Sequence, residues 1–297
     1  MGNLGVGPDF VCIGAPKAGT GWLFDQLSWH PDVWMPPVKE LRYLKARKPE
    51  RRPRLRKLQR QLEKGRYSKA SREREIDHLR PVTERDLEFI KRFLSEEKRN
   101  LKRYGELFEM KGNQITGDIT PLYSTLDSRS IVKLMEEFPK LKIIYLIREP
   151  VSRAWSHIQM HKRQTEKPNH RANFDIGNLN HVKRFICQSD MLLRSCPSRV
   201  ADRWRTVVPE NQFYYSFFDD IISDPASVLK DICNFLGVSQ EISEQMLPPT
   251  FNRKDSRSKY PMTPEIKAYL EQLFRDERAI SAERFGGAAK AWTPHHP

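Results

Sequence analysis

A short buried strand that enters a glycine-bearing turn and leaves it as a helix limits this chain more than any other feature. Residues 9–14 (DFVCIG) read as a strand, residues 20–29 as a helix, and Pro16 and Gly19 lie in the turn between them. A run that is apolar throughout suits a strand covered on both faces, the usual condition of a parallel sheet.

The pattern recurs along the chain. Residues 141–147 (LKIIYLI) form the strongest strand signal, followed by a helix over 150–161 with Pro150 in its first turn. Shorter strands are predicted at 114–117 and 212–217. Asp127 caps a helix through Phe138 that sets Ile131, Leu134, Met135 and Phe138 on one face. A helix over 225–236 stops at Gly237, a natural C-terminal cap. Thr83 and Asp86 open a helix to about Leu94, and further helices are expected at 101–108, 182–193, 199–207 and 264–275. Residues 30–37 read as turns, 39–44 as a short extended piece and 161–180 as a loop. Strands alternating with helices predict an α/β fold: a single domain with a central parallel sheet flanked by helices. A basic insertion, at about residues 45–100, interrupts it, with some helix expected around 55–62.

Charge narrows the partners. Lys and Arg number 52 against 38 Asp and Glu, a net +14 that favours anionic ligands: nucleic acid, acidic polysaccharide, a membrane surface or a nucleotide. No run approaches the roughly 18 apolar residues that span a bilayer. The N-terminal segment lacks a basic stretch leading into an apolar one, so a cytoplasmic protein without membrane insertion is expected. Cys12, Cys187, Cys196 and Cys233 show no C-x-x-C spacing and read as free thiols.

Chemistry concentrates first in Gly14-Ala15-Pro16-Lys17-Ala18-Gly19-Thr20-Gly21-Trp22. A glycine turn between strand and helix aims successive backbone N–H groups and the positive helix end at one point, an anion cradle. Gly14 and Gly19 have Walker A spacing, but Lys17 lies inside the loop instead of directly after the second glycine, which disfavours an ordinary P-loop NTPase or kinase.

Pro16–Leu23 resembles the 5′-phosphosulfate loop of sulfotransferases, usually P-K-[SA]-G-T-[TS]-W-L. The resemblance implies 3′-phosphoadenosine 5′-phosphosulfate (PAPS) as cosubstrate. It assigns Lys17 to the 5′-phosphate and bridging oxygen, Ala18, Gly19, Thr20 and Gly21 to the loop around it, and Trp22 to adenine. Gly21 stands where the family often has a hydroxyl. The second strand runs into Arg148-Glu149-Pro150-Val151-Ser152-Arg153-Ala154-Trp155-Ser156, similar to the family's 3′-phosphate motif R-[DE]-P-x-x-R-x-x-S. Arg148 matches its arginine and Ser156 its serine, a guanidinium fork plus a directed hydroxyl for phosphate. Arg257 and Lys259, in a basic loop, fall where relatives close over that phosphate.

Sulfuryl transfer should resemble phosphoryl transfer, with attacking and leaving oxygens in line and little covalent work for the protein. Lys17 suits the leaving group. Pro36–Tyr43 resembles the K-E-x-x-[FY]-[FL] segment of carbohydrate-sulfating and many bacterial members, which makes Glu40 the expected base, with Asp118 and His157 in reserve. Asp118-Ile119-Thr120-Pro121-Leu122-Tyr123 resembles the E-K-[TS]-P-x-Y stretch of heparan-type enzymes, with Ile119 in place of their catalytic lysine. Asp118 and Tyr123 are expected to face the acceptor, a hydroxylated small molecule or carbohydrate. His157 and His161 have the i, i+4 spacing of a zinc helix but lack the glutamate and a third ligand, and no metal is expected. The competing readings are a nucleic-acid-binding protein, for which no zinc finger or RNP element is present, and an atypical nucleotide kinase.

Overall fold

The structure, a computed structural model, describes residues 6–45, 60, 83–95, 100–166, 174–241 and 260–293. Its centre is a five-stranded sheet: Phe10–Gly14 (β1), Val33–Trp34 (β2), Ile115–Ile119 (β3), Lys142–Ile147 (β4) and Phe213–Phe217 (β5). The strand order is β2-β3-β1-β4-β5, and every pairing is parallel. β1 lies in the middle, and Phe10, Val11, Cys12 and Ile13 are fully buried, as a strand sandwiched between helix layers must be. Phe10 pairs with Gly117 on β3, where a side chain would meet the Phe10 ring at 2.5 Å; only glycine fits beneath that ring.

The helices are Thr20–Trp29 (α1), Glu84–Ser95 (α2), Leu101–Glu106 (α3), Ser128–Glu137 (α4), Pro150–Thr165 (α5), Leu179–Ile186 (α6), Ser189–Leu193 (α7), Pro197–Arg205 (α8), Phe218–Ser223 (α9), Pro225–Leu236 (α10), Pro264–Leu273 (α11) and Arg275–Phe285 (α12). Local chemistry sets many of their ends. The Asp127 carboxylate accepts from the Ser130 amide at 2.9 Å and Asp224 from that of Ser227 at 3.0 Å. Thr83 and Asp86 cap α2 reciprocally, and Gly237 closes α10 at φ 79°. Ile131, Leu134 and Met135 are the buried residues of α4. A second apolar cluster, with Trp155, Ile158, Phe185, Ile266 and Phe274 in it, joins α5, α6 and α11.

Four local expectations change. Residues 33–34 are an edge strand instead of part of a turn, and 39–44 are not extended: Glu40 and Arg42 have φ of 59° and 52°. The helix expected over 182–193 divides between α6 and α7, and α5 continues to Thr165. α12 has no counterpart among the predicted helices. The helix expected around 55–62 and the bulk of the basic insertion lie outside the described residues. The four cysteines are free, and among the described residues no helix is long and apolar enough to cross a membrane.

Candidate active site

Neighbouring strands β1 and β4 send the chain in opposite directions along the sheet, β1 towards β2 and β4 towards β5. Such a divergence opens a crevice at the carboxyl ends of the two strands. Both segments that resemble phosphate motifs start there. Arg148, just past β4, donates from Nη1 to the Lys17 carbonyl at 2.9 Å across 131 residues. Its guanidinium lies over the Phe218 ring, 4.4 Å from the centroid, so the first residue of α9 braces the arginine.

The turn after β1 is shaped by two left-handed residues, Lys17 at φ 76° and Gly19 at φ 92°. Gly19 caps α1 without a side chain to occupy the first-turn amides, and those of Thr20 and Gly21 have no hydrogen-bond partner among the described residues. A side chain at Gly19 would also meet Ile221 at 3.1 Å and Phe218 at 3.3 Å. Ala18 is buried in the core, and Trp22, on α1, is partly buried against it. Lys39 joins this loop unannounced. Its Nζ lies 3.2 Å from the point a Gly21 β-carbon would occupy. The clue in the sequence is its place directly before Glu40.

Glu40 is held in a tight turn. Arg42 donates from Nε at 3.1 Å and Nη2 at 2.7 Å to the same oxygen, Oε2, leaving Oε1 without a partner among the described residues. The backbone of this turn rests on the segment after β3: the Arg42 amide donates to Thr120 Oγ1 at 3.2 Å, and the Leu44 amide to the Tyr123 hydroxyl at 3.4 Å. Asp118 and Tyr123 do not sit as expected. They are 1% and 0% exposed, and the Tyr123 hydroxyl donates to Asp118 Oδ2 at 2.7 Å. Buried polar groups must satisfy one another, and these do so instead of facing an open acceptor site.

On α5, Ser156 is half-buried, while Arg153 and His157 are buried beside it. Arg153 is 1% exposed and donates from Nε to Ser195 Oγ at 2.7 Å and from Nη1 to His157 Nδ1 at 3.1 Å. A guanidinium only donates, so Nδ1 accepts and the ring carries its proton on Nε2. Burial, then the charges of Arg153, Arg194 and Lys17, push the His157 pKa down from 6.5 to about 3. A ring so disposed is a poor proton acceptor, which removes His157 as a reserve base. Arg194, also buried, feels the charges of Arg42 and Glu40. Arg194 belongs to no reading made from sequence, and Arg153 enters only as the second arginine of the R-[DE]-P-x-x-R-x-x-S match, with no role assigned to it; the elements that hold them approach one another only in the tertiary structure. Arg257 and Lys259 lie outside the described residues.

His157 yields a stability prediction. The unfolded chain protonates this ring below about pH 6.5, whereas the folded chain does so only near 3. Its stabilisation is therefore complete above 6.5 and is lost as pH falls through that window. His157→Gln is expected to remove up to one proton of slope, roughly 1.4 kcal/mol per pH unit. Urea midpoints across the acidic range read it; an unchanged slope would mean the ring titrates as in solution.

Comparison with known proteins agrees with this geometry. Residues 8–241 match the model of a family described as the sulfotransferase family. A search of curated protein sequences finds no match. Among solved structures, a sulfotransferase from Alicyclobacillus acidocaldarius is 20% identical at a TM-score of 0.59, with 96% of this chain and 98% of that one covered. Sulfotransferase STF9 from Mycobacterium avium is 16% identical at 0.53, with 95% and 78% covered. Mouse sulfotransferase SULT7A1, complexed with PAP, is 13% identical at 0.52, with 96% and 87% covered. At such identities the structural likeness is one of fold, and it is the family match over most of the length that decides membership. This chain belongs to the sulfotransferase family, the enzymes of sulfuryl transfer.

Proposed function

We propose that the protein transfers a sulfuryl group from PAPS to a hydroxyl or amine and releases 3′,5′-ADP. The observation that carries this reading is the bond between Arg148 and the Lys17 carbonyl, which brings two phosphate-type motifs to one crevice. One doubly phosphorylated adenosine then spans them. Lys17 and the amides of Gly19, Thr20 and Gly21 take the 5′-phosphate, Arg148 and Ser156 the 3′-phosphate, and Trp22 the adenine. Arg257 and Lys259 complete the 3′-phosphate site, and Ala18, packed in the core, fixes the loop's path.

The acceptor's lone pair forms the new bond to sulfur as the bond from sulfur to the bridging phosphate oxygen breaks. The acceptor's proton passes to Glu40 Oε1, and the charge left on the phosphate is met by Lys17, with Lys39 beside the loop. Catalysis on this scheme is positioning and charge stabilisation, with no covalent intermediate and no metal. The acceptor is a hydroxylated small molecule or a carbohydrate. The mouse fold relative complexed with PAP supports the choice of nucleotide.

Incubation with ³⁵S-labelled PAPS and a panel of hydroxylated and amino acceptors tests the reaction, and calorimetry with 3′,5′-ADP tests the nucleotide. Label transfer without added metal, with saturable 3′,5′-ADP binding, is expected. Binding of ATP with magnesium but not of 3′,5′-ADP would overturn the proposal in favour of a kinase.

A further inference from the structure

We infer that Asp118 is a positioning residue that sets the conformation of the Glu40 turn through two hydroxyl relays, a role that rests on the reading of Glu40 as the base. The carboxylate receives three hydroxyl protons. Thr120 Oγ1 donates to Oδ1 at 2.7 Å, Tyr123 to Oδ2 at 2.7 Å and Tyr104 to Oδ2 at 3.0 Å. Asp118 itself is 1% exposed and sits on β3 in register with Val11 of β1, so the hub is anchored in the sheet.

Direction is what makes this a relay. A hydroxyl has one proton and two lone pairs. Because Asp118 takes the protons of Thr120 and Tyr123, each hydroxyl turns its lone pairs outward as acceptors. The amides of Arg42 and Leu44 lie there, at 3.2 and 3.4 Å. A hydroxyl bonded to a carboxylate is polarised and accepts more strongly than a free one. Two buried oxygens thus become fixed acceptors for two backbone N–H groups on either side of Tyr43.

The turn needs such fixing. Glu40 and Arg42 both have left-handed backbone, at φ 59° and 52°, and neither is glycine. Residues in that region persist where surrounding contacts over-determine them. With both residues in that conformation Arg42 folds back to clamp Glu40 Oε2 while Oε1 stays open. Other contacts share the load: Leu41 and Tyr43 are buried, and Lys45 donates to the Thr125 carbonyl at 2.9 Å. The relays act at Arg42, next to the residue proposed for chemistry.

Three variants separate positioning from mere stability. Asp118→Asn and the double change Thr120→Val with Tyr123→Phe break the relays; Tyr104→Phe removes a hydroxyl that neither the Arg42 nor the Leu44 amide uses, and keeps the ring that packs on Tyr43. Amide exchange of the full chain, read by NMR, is expected to speed up about tenfold at Arg42 and Leu44 in the first two and to stay at the wild-type rate in Tyr104→Phe. Turnover should fall about 10- to 100-fold in the first two, with the 3′,5′-ADP dissociation constant unchanged. Asp118→Asn should cost almost nothing further once Glu40 is glutamine. Arg42 and Leu44 amides as protected in Asp118→Asn as in wild type would overturn the inference, as would full multiplication of the two kinetic losses. The exchange result decides the relay even if Glu40→Gln turns over normally, an outcome that would sink only the assignment of the base.

Discussion

Lys17→Met is expected to lower turnover of PAPS by about 10²- to 10³-fold, the scale of losing one preorganised stabiliser of developing charge. Methionine keeps the unbranched stem and loses the ammonium. The main-chain carbonyl of Lys17 still meets Arg148, so the junction between the two motif loops survives the change. The left-handed backbone at position 17 demands the same of either side chain, which makes methionine a fair comparison. Affinity for 3′,5′-ADP should weaken far less than turnover, because the loop amides and Arg148 remain. Steady-state kinetics beside calorimetry separate the two quantities. Unchanged turnover would show that the charge on the leaving phosphate is met elsewhere, Lys39 beside Gly21 and Arg148 at the Lys17 carbonyl being the other cations at the loop.

Glu40→Gln is expected to reduce turnover by about 10²- to 10⁴-fold, the usual worth of a positioned proton acceptor. Glutamine retains an oxygen for the Arg42 fork and the shape of the side chain, so the turn should hold. Nucleotide binding should be untouched, which distinguishes this variant from Lys17→Met. The contrast rests on the open oxygen: Arg42 occupies Oε2 with both of its contacts, and in the proposed reaction Oε1 takes the acceptor's proton. A Glu40→Gln enzyme of normal turnover would leave proton removal to another group or to water. His157 is not that group, since Arg153 already uses its Nδ1 lone pair.

Much of this site is legible in the amino-acid order because its parts are local. A buried strand, a glycine turn and a helix in succession are encoded within some twenty residues, and phosphate loops of this type carry their own chemistry in that short span. The same holds for Arg148 at the end of β4, where an apolar run stops and Pro150 opens a helix. Glu149 explains part of its motif locally too, capping α5 through the amides of Val151 and Ser152 at 3.0 and 2.6 Å. The partners of Asp118 escape a reading of the sequence for the opposite reason. Its neighbours in sequence resemble an acceptor-facing stretch, yet Tyr104 comes from α3 and the turn it supports lies some eighty residues away.

Alternation of strands and helices, the two phosphate motifs and their order were set by the sequence alone, since periodicity, capping and turn chemistry act over a few residues at a time. Tertiary structure alone decided the left-handed turn at Glu40, the hydroxyl relays from Asp118, the approach of Lys39 to Gly21 and the pairing of Arg153 with His157 and Ser195. Those depend on which elements become neighbours when β1 is enclosed by β3 and β4. A side chain's partner across such a distance is chosen by packing and by the need of every buried polar group for a mate, and neither leaves a period in the chain to be read.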